Sequence, residues 1–180
     1  MLASNETLLL VVDIQERLVQ SIHDAEQVVH NVSKLIRACH LLEVPVLCTE
    51  QYPRGLGQTV ASLKELMGEE DPVEKITFSC CATDTFMRRL RSFSRNDVLV
   101  VGMEAHVCVY QTSVELLEFG YNVHLVTDAV SSRTEGNRDI GIRCIEKAGG
   151  NLTSTEMVIF ELQRVAGGER FKALSKIIKE

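Results

Sequence analysis

Four stretches of the chain are almost continuously apolar: Leu8–Val12, Val44–Cys48, Val98–Val101 and Val123–Val126. Two weaker stretches lie at Val73–Ile76 and Leu152–Ser154. Continuous runs, as opposed to alternating ones, suit strands covered on both faces, the condition of a parallel sheet. Between them the apolar positions recur at helical spacing. Asp24-Ala25-Glu26-Gln27 reads as a capping box. It precedes Val28, Val29, Val32, Leu35, Ile36, Cys39 and Leu42, which share one helical face. Further helices are predicted over Phe86–Phe93, Cys108–Phe119, Asn137–Ala148 and Glu169–Ile178. The second of these stops at Gly120 and the third at Gly149-Gly150, where a left-handed residue ends a helix without steric cost. The β-α-β-α order predicts an α/β three-layer sandwich built on a mainly parallel sheet. The longest irregular stretch, about Thr49 to Gln58, is expected to form a pocket wall or lid.

Length and composition narrow the class. The chain has 180 residues, 45% hydrophobic and 24% charged, with three prolines. That is one domain's worth of chain, residues 1–180, able to bury roughly 70% of its unfolded surface without staples. The net charge is −6 and no run of five like charges occurs, so the basic stripe of a nucleic-acid binder is missing. No apolar run approaches the ~18 residues of a membrane span, and the first residues lack the pattern of a signal peptide. A cytoplasmic setting is expected. There the six cysteines stay reduced, and no C-x-x-C suggests zinc or a redox pair. Cys39, Cys48 and Cys144 read as small buried hydrophobes. Cys80-Cys81 carries no chemistry legible from its neighbours.

Ligands of open α/β sheets bind beyond the carboxyl ends of the strands. Three reactive side chains fall there. Asp13 follows the first run, Lys75 ends the third, and Cys108 opens a helix after the fourth. A helix N-terminus and a nearby ammonium are both expected to lower a thiol pKa. A carboxylate can take the thiol proton and return it to a leaving amine. Backbone N–H groups at the helix start can hold an oxyanion. Together they describe acyl transfer through a thioester. Gln15, Tyr52 and Phe78 flank the strand ends as pocket liners, and His106 reads as pocket wall or hydrogen-bonded spacer. Arg133 reads as structural, either closing a salt bridge with acidic neighbours or lining an interface. Gly55-Leu56-Gly57 lacks the third glycine and the position of a dinucleotide loop.

These segments carry a resemblance. Leu10-Val11-Val12-Asp13-Ile14-Gln15, Glu74-Lys75-Ile76-Thr77-Phe78-Ser79 and Val100 to Val109 resemble, in order, three motifs of the isochorismatase-like cysteine hydrolases. The loop Thr49 to Gly57 is most similar to the isochorismatase-domain-containing branch, whose substrates are poorly defined. The resemblance implies an Asp13–Lys75–Cys108 triad and a six-stranded parallel sheet with helices on both faces. It implies a cis peptide between Met103 and Glu104, with the N–H groups of Glu104 and Cys108 turned to the oxyanion. It also implies a homo-oligomer acting on a small molecule. Metal-binding relatives place an Asp-x-His where this chain has Glu50-Gln51-Tyr52, so no metal and no other cofactor is expected. True isochorismatases lack the nucleophilic cysteine, so isochorismate is not the expected substrate. The expected activity is metal-independent hydrolysis of a small amide-like C–N bond. The alternatives are a thiol redox sensor and an oligomeric, non-catalytic pocket protein.

Overall fold

The computed structural model describes residues 1–68 and 71–180. Six strands form one sheet: β1 Thr7–Val12, β2 Val46–Gln51, β3 Val73–Lys75, β4 Asp97–Met103, β5 Asn122–Ser131 and β6 Asn151–Thr153. Their order is β3-β2-β1-β4-β5-β6, and every neighbouring pair is parallel. The helices are α1 Ala25–Leu41, α2 Pro53–Leu56, α3 Ala61–Lys64, α4 Asp84–Ser92, α5 Cys108–Glu118, α6 Glu135–Lys147, α7 Thr155–Gln163 and α8 Gly168–Lys179.

The central strand shows why the predicted runs are continuous. Leu8, Leu10 and Val12 of β1 face one core, which is closed by Phe86, Met87 and Leu90 of α4, Val109 and Leu116 of α5, and Ile145 of α6. Leu9 and Val11 face the other, with Val28, Val32, Leu35 and Ile36 of α1, Val158 and Ile159 of α7, and Leu174 of α8. Successive side chains of a strand point to opposite faces, and here both faces are dry. Truncating a large residue of either core, such as Phe86 or Leu35, costs roughly 2–5 kcal/mol.

Four details differ from the sequence expectation. First, β2 continues through the polar Thr49, Glu50 and Gln51, so the irregular loop is shorter than expected and contains the short α2. Second, α7 has no counterpart in the predicted elements. Its apolar residues Met157-Val158-Ile159-Phe160 are nearly consecutive and hide the helical period, although Ser154 caps it by accepting from the Met157 N–H at 3.4 Å. Third, the capping box at α1 does not form. Asp24 adopts φ 51°, makes no capping bond, and turns its carboxylate toward His23 Nδ1 at 3.4 Å, while Gln27 bonds Asn31 at 3.1 Å. Fourth, Cys39 and Cys48 are buried as expected, but Cys144 is exposed, because α6 turns that face to solvent. All six cysteines are free thiols.

Candidate active site

The strand order reverses between β1 and β4, and their carboxyl ends flank that switch point. The two strands approach closely. Gly102 of β4 lies opposite Val12, with φ 118°, and a Cβ there would fall 2.0 Å from the Val12 carbonyl oxygen. Only glycine fits this crossing, which sets the turn after β4 directly beside Asp13.

Asp13 leaves β1 in the left-handed region, φ 52°, and is wholly buried. Its Oδ1 accepts from Thr49 Oγ1 at 2.7 Å and its Oδ2 from Lys75 Nζ at 2.5 Å. The Lys75 ammonium has two more acceptors, the carbonyls of Thr77 and Phe78, each at 3.2 Å. Its three protons therefore meet three acceptors, as a buried cation requires. Burial opposes the charge on Lys75, but the Asp13 carboxylate outweighs it and holds the ammonium above its ordinary range. The segment after Lys75 is tied to α5, since Ser79 Oγ donates to Glu115 at 2.7 Å and the Cys80 N–H to Thr112 Oγ1 at 3.0 Å.

The turn after β4 carries a cis peptide between Met103 and Glu104, at the expected position. Ala105 N–H donates to Ser131 O at 2.8 Å, and the Val107 and Val109 N–H groups donate to Glu104 O at 3.0 and 3.2 Å. The N–H groups of Glu104 and Cys108 make no such turn bond among the described residues. Helix α6 backs the turn at Gly141, where a Cβ would fall 2.6 Å from the Ala105 carbonyl oxygen. Arg133 braces it in front. Its N–H donates to Glu104 Oε2 at 3.2 Å, and its guanidinium lies 3.3 Å from Oε1.

Cys108 begins α5 and is buried, with its thiol donating to Gln51 Oε1 at 3.0 Å. Burial raises this thiol far above its ordinary range, and the Asp13 carboxylate beside it pushes the same way. Lys75 pulls downward but is outweighed. The lowered thiol pKa expected from the sequence is thereby corrected: Lys75 is already neutralised by Asp13, and desolvation prevails over the helix terminus. Cys80 packs behind the site, its thiol 3.7 Å from Thr49 Oγ1, and burial pushes it up to about 11.

The sequence therefore located Asp13, Lys75, Cys108 and the Glu104 turn, and the fold gathers them. The four expected pocket liners divide. Tyr52 and Phe78 are half-exposed at the rim, and Tyr52 borders a cleft of about 390 Å³ with Pro53, Arg54, Glu74, Lys75 and Ile76. Gln15 is instead fully buried, its amide spent on backbone groups of residues 51 and 57. The His106 ring bonds Ser132 Oγ at 2.9 Å, the spacer role. Arg133 pairs as expected. Thr49 and Gln51 escaped the sequence reading because they sit in a stretch read as loop. Glu50, which stands where the resemblance would place a metal-binding aspartate, accepts at Oε1 from the N–H and hydroxyl of Thr59 at 2.6 and 2.7 Å.

Comparison with known proteins agrees with this geometry. The profile of the Isochorismatase domain matches residues 7–157. A Phytophthora sojae protein named secreted isochorismatase effector Isc1 is 37% identical over 183 residues, spanning 99% of this chain and 87% of its own. A solved Caenorhabditis elegans structure named MAR1 ribonuclease is 38% identical with a TM-score of 0.93, covering 99% of this chain and 92% of that one. The Escherichia coli YcaC gene product, described as an octameric hydrolase of unknown specificity, superposes with a TM-score of 0.92 at 22% identity. It covers 98% of this chain and 89% of its own, and shows a common fold.

Proposed function

The chain belongs to the isochorismatase domain family, and within it we propose a cysteine hydrolase that cleaves a small amide-like C–N bond without a metal. One observation carries this reading. A buried Asp13–Lys75 pair lies beside the Cys108 thiol, at the switch point, next to two N–H groups free of turn bonds. In the resting protein the thiol is neutral, so attack and proton transfer go together. As the Cys108 sulfur bonds to the substrate carbonyl carbon, its proton passes to Asp13. The carbonyl oxygen takes the electron pair and rests on the Glu104 and Cys108 N–H groups. Collapse breaks the C–N bond, and Asp13 returns the proton to the departing nitrogen, leaving a thioester. A water then gives its proton to Asp13 and attacks the thioester. The C–S bond breaks, the acid leaves, and the sulfur regains its proton. Lys75 keeps Asp13 ionised for both rounds.

Six free thiols support a reducing, cytoplasmic compartment. Among the described residues no helix is long and apolar enough to cross a membrane. The octamer named for the E. coli neighbour supports an assembled state for this chain as well.

A panel of small amides and ureides, read by ammonia release, tests the activity. Wild-type protein turns over at least one member, and Cys108→Ala turns over none while keeping its melting temperature. A trapped acyl adduct on the Cys108 peptide in mass spectrometry gives the intermediate directly. Cys108→Ala protein that hydrolyses amides at the wild-type rate overturns the reading. So does wild-type protein that cleaves RNA, the activity in the C. elegans neighbour's name, and leaves every amide intact.

A further inference from the structure

We propose that Gln51 is a positioning residue that parks the Cys108 thiol between turnovers, and that Gln15 is the clamp that holds Gln51 in place. The proposal rests on the reading of Cys108 as nucleophile.

The geometry starts at the end of β2. Residues two apart on a strand share a face, so Thr49 and Gln51 point to the same side. Thr49 reaches Asp13, and Gln51 reaches Cys108. Gln51 also lies opposite Lys75 in the β2–β3 register. Its Nε2 donates to Ile76 O at 3.5 Å, which directs Oε1 toward the sulfur. An amide oxygen accepts from a thiol but repels a thiolate. The contact therefore favours the protonated sulfur and gives its proton a second acceptor beside Asp13, whose carboxylate also lies within hydrogen-bonding reach of the thiol.

Gln15 fixes this arrangement. Its Oε1 accepts from the Gln51 N–H at 2.8 Å, and its Nε2 donates to Gln51 O at 3.0 Å. Both main-chain groups of Gln51 are thus held by one side-chain amide, in the manner of an added strand residue. The same Nε2 donates to Gly57 O at 2.7 Å and so closes the 52–57 loop over the clamp. The spacing of Asp13 and Gln15 gains a physical meaning. The first supplies the base, and the second, on the far side of Ile14, sets the group that holds the nucleophile. The ionisable groups around the sulfur are Asp13 from β1, Lys75 from β3 and Cys80 from the loop after it.

Alkylation by iodoacetamide reads the latch without any substrate. It is followed by mass spectrometry on the Cys108 peptide across pH 6–10, in a Cys144→Ser background that removes the exposed thiol. Gln51→Leu removes the acceptor, so Cys108 alkylates about three- to tenfold faster at pH 7.5 and its alkaline inflection moves down. Gln51→Glu sets a second carboxylate against the sulfur, so alkylation slows and the inflection moves up. Gln15→Leu follows Gln51→Leu in direction.

Rates for Gln51→Leu and Gln51→Glu that both lie within twofold of wild type overturn the latch. So does a shift of both in the same direction, which marks general loosening of the strand end. The hydrolase reading fails separately. Wild-type protein inert to every amide removes it, while the opposed alkylation shifts would still establish Gln51 as the thiol's partner.

Discussion

Lys75 Nζ meets Asp13 Oδ2 at 2.5 Å with neither side chain open to solvent. The sequence separates the two residues by most of two β-α units, and the sheet brings them together across β2. Removing one partner from such a pair strands a charge, which costs about 3–5 kcal/mol. Lys75→Met should therefore lower the midpoint of urea unfolding sharply and abolish turnover. The double variant Asp13→Leu/Lys75→Met removes both charges. It should recover much of the lost stability and none of the activity. A double variant no more stable than Lys75→Met would show that the pair is not the source of the penalty.

Alkaline stability should fall steeply. Burial pushes Cys39, Cys48 and Cys81 up to about 12 and Cys80 up to about 11, and it raises Cys108 as well. A folded pKa above the unfolded one means that the native state holds its proton longer. The stabilisation is complete below the unfolded thiol pKa, about 8.5. It is lost as pH rises from there toward the folded values, at up to about 1.4 kcal/mol per thiol per pH unit. Thermal midpoints from pH 7 to 10.5 should hold steady and then drop. Cys39→Ala should show a shallower drop, since one titrating group is gone.

Gly141→Ala offers a test in which two effects oppose each other. In a helix interior alanine is favoured over glycine by roughly 1 kcal/mol. Here its Cβ would fall 2.6 Å from the Ala105 carbonyl carbon and oxygen and 2.8 Å from the His106 nitrogen. The turn that carries the Glu104 N–H must move. Loss of one oxyanion donor costs about 10²–10³ in turnover. Gly141→Ala should therefore lower kcat on that scale while KM changes little. A variant that melts higher and turns over normally would refute the contact.

Much of this architecture is legible in the sequence because it rests on local pattern. The runs Leu8–Val12 and Val98–Val101 are continuous because both faces of β1 and β4 are buried. Cys108 announces itself by its place at a helix start. Gln51 does not. Its residue type is ordinary, and its importance comes from register with Lys75 and from the clamp of Gln15, neither of which is local. The resting charge of the thiol was misjudged for a related reason. The helix terminus and the lysine are visible in the sequence, but the pairing that neutralises the lysine is not.

The loops that follow β2 and β3 carry the exposed side chains of Tyr52, Ile76 and Phe78, and they touch the reactive groups mainly through main chain. Lys75 is held by the carbonyls of Thr77 and Phe78, and Gln15 grips the carbonyl of Gly57. A carbonyl is the same whichever residue bears it. These exposed side chains can accordingly be exchanged without rewiring the hydrogen bonds beneath, so the rim and the buried pair answer to separate constraints.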